Sequence, residues 1–211
     1  MYPISYEADY ERERDRLTTF FRLIVAIPWL IVGTIYLIAS QVVVFIAWFA
    51  ILILGRYPDG LYNFNAGVLR AVTRFNAFTF LQTDAWPPFG FGPDPTYPVR
   101  LQVAGPADSQ SRAKAFFRII LALPLFFVAY AISFVQQGAS GLAWLTIVFR
   151  GYQPAGIHNA LAFANAWHAR FFGYLLILRD EYPPVGDEPV QVGDVPAASQ
   201  PSLGGSAAPA Q

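Results

Sequence analysis

Residues 23–54 read LIVAIPWLIVGTIYLIASQVVVFIAWFAILIL and carry no charged side chain. A second uncharged stretch, residues 119–149, reads IILALPLFFVAYAISFVQQGASGLAWLTIVF. The chain is 55% hydrophobic and only 13% charged, against roughly 25% charged in soluble domains. Together these features indicate an all-α integral membrane protein. As one helix the first stretch is about 48 Å long, against a hydrocarbon core of about 30 Å. Its midpoint Ser40-Gln41, and the run QQGASG at 136–141, have the composition of turns. Folding each stretch back on itself also gathers every Lys and Arg on one side, as the positive-inside rule prefers. The expectation is two transmembrane hairpins, over 17–55 and 113–150. That makes a multi-pass protein of the cell membrane with both termini cytoplasmic.

The two stretches belong to an internal repeat. A shift of 96 positions carries Phe20-Phe21-Arg22 onto Phe116-Phe117-Arg118 and Pro28 onto Pro124. The same shift carries Trp48 onto Trp144, and Gly55, Pro58 and Gly60 onto Gly151, Pro154 and Gly156. It also carries Arg74 onto Arg170, Asp84 onto Asp180, and Pro87-Pro88 onto Pro183-Pro184. Ungapped identity over so long a span marks a tandem duplication. The units run over 1–91 and 112–185, with a linker at 92–111. In the hairpin reading the repeats are parallel, related by an axis along the membrane normal.

After each hairpin, a G-x-x-P-x-G turn leads into a third helical pattern, over 61–82 and 157–178. In the first, Arg70 and Arg74 share one face and apolar residues broadly occupy the other, the pattern of an amphipathic interfacial helix. The second is more apolar, and 160–178 either lies in the interface likewise or spans the membrane, with His168 and Arg170 in its middle against spanning. A Pro-Pro pair stops each helix. Residues 98–103 alternate apolar and polar, as does the start at Ile4 and Tyr6, which suggests two short strands, one per repeat, able to pair with each other. Residues 186–211 are rich in Pro, Ala, Gly, Ser and Gln and read as a disordered tail.

The run AWFAILILGRYPDGL, then the Arg-bearing helix, then TDAWPPF, resembles domain-of-unknown-function family 4389, a bacterial membrane family whose members often carry the domain in tandem. Unit one keeps the family pattern nearly whole, with Trp86 at the usual tyrosine. In unit two Arg56-Tyr57 becomes Tyr152-Gln153, and the Thr83 position is Arg179. The resemblance implies a membrane protein and no particular reaction. If the motif serves an activity, the divergence of unit two implies one working site.

Three charged positions persist in both units: Arg22/Arg118, Arg74/Arg170 and Asp84/Asp180. Two readings stand. In one, the arginines bind lipid phosphate or a protein partner, with Asp84 orienting one of them. In the other, they form structural ion pairs that lock the third helix of each unit to its hairpin. Pro28 and Pro124 read as helix kinks, Trp48 and Trp144 as packing or interface residues, and the Gly and Pro positions as structural motif.

The chain has no cysteine, and its 14 basic and 14 acidic residues balance. That excludes disulfides and thiolate metal sites and gives no nucleic-acid signature. The only histidines, His158 and His168, project about 80° apart on a helix, so neither a metal nor a cofactor is expected. No catalytic centre is recognisable. The uncharged stretches also lack the ionisable residue that a proton relay or ion-coupled transporter needs. The functional expectation is a membrane accessory or scaffold protein that binds a membrane partner, itself or anionic lipid. Small residues (Ala26, Gly33, Ala139, Gly141) offer helix-association contacts. The alternative is an oligomeric channel or lipid-handling transporter.

Overall fold

A computed structural model describes residues 2–184 and 191–192; the tail expected at 186–211 lies almost wholly outside them. The described chain is mostly helical, a tandem repeat containing two helices long and apolar enough to cross a membrane. Each repeat opens on a strand, β1 (Ile4–Ala8) or β2 (Val99–Val103). Short helices follow: α1 (Arg16–Phe20) and α2 (Arg22–Val25) in unit one, α5 (Arg112–Phe116) in unit two. Then come the long apolar helices, α3 (Ile27–Leu54) and α6 (Arg118–Arg150), and the returning helices, α4 (Asp59–Thr79) and α7 (Ala155–Leu175).

The expected hairpins do not form. The second uncharged stretch is one unbroken helix, and the first runs unbroken from Ile27 to Leu54 through its polar midpoint, so the four-crossing topology and the orientation argument built on it fall together. The polar midpoints that resemble turns are helical residues with partners elsewhere. Ser40 Oγ donates to Asn65 Oδ1 at 2.7 Å, and Gln136 Nε2 donates to Asn165 Oδ1 at 2.7 Å. A polar group buried mid-helix is retained because a facing helix satisfies it.

The helical hairpins that do exist join α3 to α4 and α6 to α7. Gly55 and Gly151 end the long helices at φ 73° and 76°, the left-handed closing position that glycine adopts without strain. Pro58 and Pro154 then cap the returning helices with extended backbone. The returning helices run antiparallel to their partners: Trp29 stacks on Phe75 near one end of α3, and Ser40 meets Asn65 further along. Pro28 lies in the first turn of α3, where its missing N–H costs least, whereas Pro124 sits inside α6.

The third helices are not interfacial. α4 and α7 are the most enclosed helices of the molecule, buried on nearly every face. The Arg-bearing face of α4 is covered by the chain that follows it. Arg74, 3% exposed, donates to the carbonyls of Gly90 and Gly92 at 3.2 and 2.7 Å. The middle layer is therefore α4 against α7, with α3 packed on α4, α6 on α7, and the sheet lying across α4 and α7. The anticipated strands pair antiparallel, Ile4 with Val103 through Ala8 with Val99, and β3 (Gln191–Val192) adds parallel to β1. Ile4, Tyr6 and Ala8 are buried, while Ser5 and Glu7 point away from the helices.

The ladder also shows how the repeats are related. Tyr6 faces Leu101 at its centre, and these are equivalent positions once the one-residue slip of the strands is allowed for. A local twofold axis passes between them, perpendicular to the sheet, and inverts one repeat relative to the other. Each repeat's entry segment packs on the far end of its neighbour's long helix. Arg14 N–H donates to Gly151 O at 3.1 Å, and the equivalent Gln110 N–H donates to Gly55 O at 2.8 Å. Trp48 Nε1 donates to Ala115 O at 3.0 Å and stacks on Phe116, while Trp144 packs on Phe20. Thus α3 and α6 run antiparallel, and the motif tryptophans are the seam between repeats. Ala26 and Gly33 are spent inside the chain, Gly33 so close to Trp29 that an added Cβ would lie 2.6 Å from its ring.

This exchange of entry segments predicts that the halves hold together without a covalent link. With a protease site inserted at the exposed Asp108, the two cleaved halves should co-purify through gel filtration in mild detergent. Separation of the halves on cleavage would contradict the exchange.

Candidate functional site

The persistent charges form two equivalent clasps. Arg22 is 3% exposed at the start of α2; its Nη1 donates to Phe78 O and to Thr83 O (2.8 Å), and its Nη2 pairs with Asp84 Oδ1. Arg118, 4% exposed, repeats the arrangement: Nη1 donates to Arg179 O at 2.8 Å, and Nη2 pairs with Asp180 Oδ1 at 3.3 Å. Each guanidinium also lies over a ring, Phe78 or Tyr174. The second carboxylate oxygens accept from the helix-capping residues of the entry segments, Asp15 N–H to Asp84 at 2.9 Å and Ser111 N–H to Asp180 at 2.7 Å. In each clasp the arginine ties the start of the long helical segment to the chain that follows the returning helix. Burial lowers the Arg22 pKa and Asp84 opposes that shift.

Arg74 and Arg170 do not join the clasps. Arg74 gathers loop carbonyls beneath Tyr97, and Arg170 Nε reaches Ile4 O at 3.4 Å under the sheet. Of the structural positions, Pro87 accepts from Trp29 Nε1 at 3.1 Å and Pro183 is buried. Pro88 and Pro184 are partly exposed, and Gly60 and Gly156 have open space where a Cβ would stand.

Between the clasps lie two apolar grooves, bounded on one side by a long helix and on the other by the exchanged entry segment of the other repeat. Every residue lining the smaller groove has its counterpart, 96 positions away, in the larger one. Each groove thus holds one clasp arginine, one seam tryptophan and one residue at a left-handed φ: Leu81 (64°) in the smaller, Ile177 (59°) in the larger. Such non-glycine strain persists only where surroundings enforce it. Here Gln153 Nε2 holds Leu81 O at 2.9 Å and Gln110 Nε2 holds Ile177 O at 3.1 Å.

The grooves differ in depth. Leu37, Val68, Leu69 and Val72 extend the larger one; at the equivalent positions unit two has Ser133, Ala164, Asn165 and His168. There Ser133 Oγ and His168 Nε2 are 3.0 Å apart, with His168 Nδ1 2.8 Å from Ala164 O. Asn165 and Tyr6 both donate to Gln82 Oε1 at 2.5 Å. This polar network occupies the positions equivalent to those that extend the larger groove, and the second groove is shorter. No single position announced it, but comparing the repeats column by column does.

The family described as Domain of unknown function (DUF4389) matches the chain twice, over residues 16–90 and 112–186. The chain belongs to this family. Neither the curated proteins nor the solved structures contain a match to it. Both DUF4389 copies span a clasp, a long helix and a returning helix, so the family pattern coincides with the parts that repeat in space. The strands fall outside the matched residues.

Two outcomes follow. Asp84→Ala leaves a buried guanidinium without its counter-charge and should cost about 3 kcal/mol, read as a lowered melting midpoint in detergent; an unchanged midpoint would mean that Arg22 is satisfied without it. His158 is fully buried, with neither ring nitrogen hydrogen-bonded. Burial, and then the Arg14 charge, lower its pKa from 6.5 to about 4. The unfolded chain therefore binds the extra proton first. Stability from this residue is full above pH 6.5 and is lost as pH falls toward about 4, a loss of up to about 3 kcal/mol. His158→Leu should flatten the melting midpoint across that window, and an unaltered acid response would refute the assignment.

Proposed function

We propose that this protein is an accessory protein of one membrane leaflet. In this reading α3 and α6 lie in the membrane plane over anionic lipid, and the sheet faces water. One observation carries the reading: the molecule is amphipathic as a whole. Leu23 of α2, Ile31, Ile38, Phe45 and Ile53 along α3, and Ile119, Phe127, Phe134 and Phe149 along α6, are between 61% and 80% exposed. An apolar surface of that extent on a folded protein marks a lipid or partner contact. Across the middle layer, the outer face of the sheet carries Ser5, Glu7, Arg100 and Gln102.

The positions of the charges support this orientation. Arg100 pairs with Glu7 at 3.1 Å and with Asp9 at 2.7 Å, beside the centre of the ladder and therefore midway along the helices. Upright helices would bring this group to the bilayer midplane, at roughly 3 kcal/mol per charge. The chain would also have to run the full length of the bundle between Thr79 and Gln110. Lying flat, the same charges meet water, and the twofold axis stands along the membrane normal. Arg16, Arg112 and Lys114 are exposed near the apolar layer, with no ion pair among the described residues. Basic residues there favour anionic lipid by about 1 kcal/mol each. Of the channel and lipid-handling alternatives, the larger apolar groove supports lipid handling.

The two orientations are separable in sealed vesicles. Single cysteines replacing Arg56 and Arg150 sit at opposite ends of the bundle. In the flat orientation an impermeant maleimide labels both from the same side, together with a cysteine at Gln102. Labelling of Arg56→Cys and Arg150→Cys from opposite sides would establish upright helices instead. A soluble dimer that does not float with vesicles would overturn the membrane reading.

A further inference from the structure

We propose that the larger groove binds one acyl chain of an anionic phospholipid, with the lipid's ester and phosphate oxygens at its Arg118 end; this rests on the membrane reading above. The groove has a volume of about 720 Å³, against about 510 Å³ for its shorter counterpart. Its wall follows α3 from Leu37 to Trp48, about 17 Å of helix rise. It is thus long and lined mainly by hydrocarbon, as an acyl tail requires.

Charge complementarity specifies the head. Arg118 lines the groove while 4% exposed, and its Nε has no hydrogen-bond partner, although both of its terminal nitrogens do. A buried N–H of a cation left unmatched costs stability unless an acceptor reaches it. Arg112 and Lys114, on the short helix whose Ala115 and Phe116 form the groove rim, add two exposed cations without a carboxylate partner among the described residues. An oxygen-rich anionic head at this end and a tail running toward Leu37 satisfy both ends of the groove. The smaller groove keeps an equivalent unpartnered Nε on Arg22. Its tail region, however, is occupied by the Ser133–His168 and Gln136–Asn165 contacts, so one site works and the other is vestigial.

The test places the full chain in vesicles containing phosphatidylglycerol with a diazirine near the tail end, and maps cross-linked peptides by mass spectrometry. Labels should concentrate on the α3 and α4 residues of the larger groove. Val44→Trp fills that groove and should reduce labelling about tenfold, a loss equivalent to about 1.4 kcal/mol of affinity. Ser140→Trp adds the same side chain at the equivalent position of the smaller groove and should leave labelling unchanged. Vesicle flotation and the melting midpoint of both variants control for folding. Labels spread over the outer faces of α3 and α6, and indifferent to Val44→Trp, would overturn the site while leaving membrane binding intact. Equal labelling by a phosphatidylcholine probe would overturn the anionic head. Failure of the wild-type chain to float would overturn the membrane reading and this site with it.

Discussion

The fold depends on two buried arginines that cannot be left alone. A guanidinium in an apolar interior is tolerated only when its N–H groups and its charge are answered in place. Arg22 and Arg118 are answered by the same pieces: carbonyls at the end of the returning helix, an aspartate just beyond it, and an aromatic face. That requirement fixes the returning helix antiparallel to the long one. Because each aspartate uses its second oxygen on the cap of an entry helix, the clasp also fixes where the entry segment leaves. From there the segment reaches the neighbouring repeat, and the exchange follows.

The exchange explains the conservation of motif within the duplication better than any one contact does. Gly55 and Gly151 adopt a left-handed φ, and the Arg112 and Arg16 side chains of the other repeat lie over them. Tyr57 donates toward Leu176 O across the seam, and its counterpart Gln153 holds Leu81. Motif residues that look local in each unit are therefore contacts between units, with every change in one repeat felt in the other.

Much of this architecture was legible in the chain. The duplication, the pairing of the strands and the glycine turns follow from the order of residues alone. The course of residues 23–54 was not, and the reason is physical. Ser40 and Gln136 resemble turn residues only while their partners are unknown, and Asn65 and Asn165 lie 25 and 29 positions away. Likewise, Arg74 gives α4 a polar face by sequence, yet Gly90 and Gly92 cover that face with their carbonyls. Periodicity reports the polarity of a helix face and not what comes to lie on it. The inversion of the repeats was equally hidden, because the contacts that impose it, Arg14 to Gly151 and Gln110 to Gly55, end on backbone carbonyls that any residue supplies.

Where the repeats agree, the fold explains the agreement; where they differ, the fold has no preference and something else has acted. A clasp arginine, a seam tryptophan and a strained residue are kept in both grooves, since losing any of them exposes or unpairs a buried group. Leu37 and Val72 on one side, and Ser133 and His168 on the other, meet no such constraint: both sets pack in the same scaffold. One set leaves an open apolar slot and the other fills it with hydrogen bonds. A symmetric scaffold with one long groove and one shortened by hydrogen bonds is what results when a duplicated surface keeps its apolar lining in one copy and turns it to internal packing in the other.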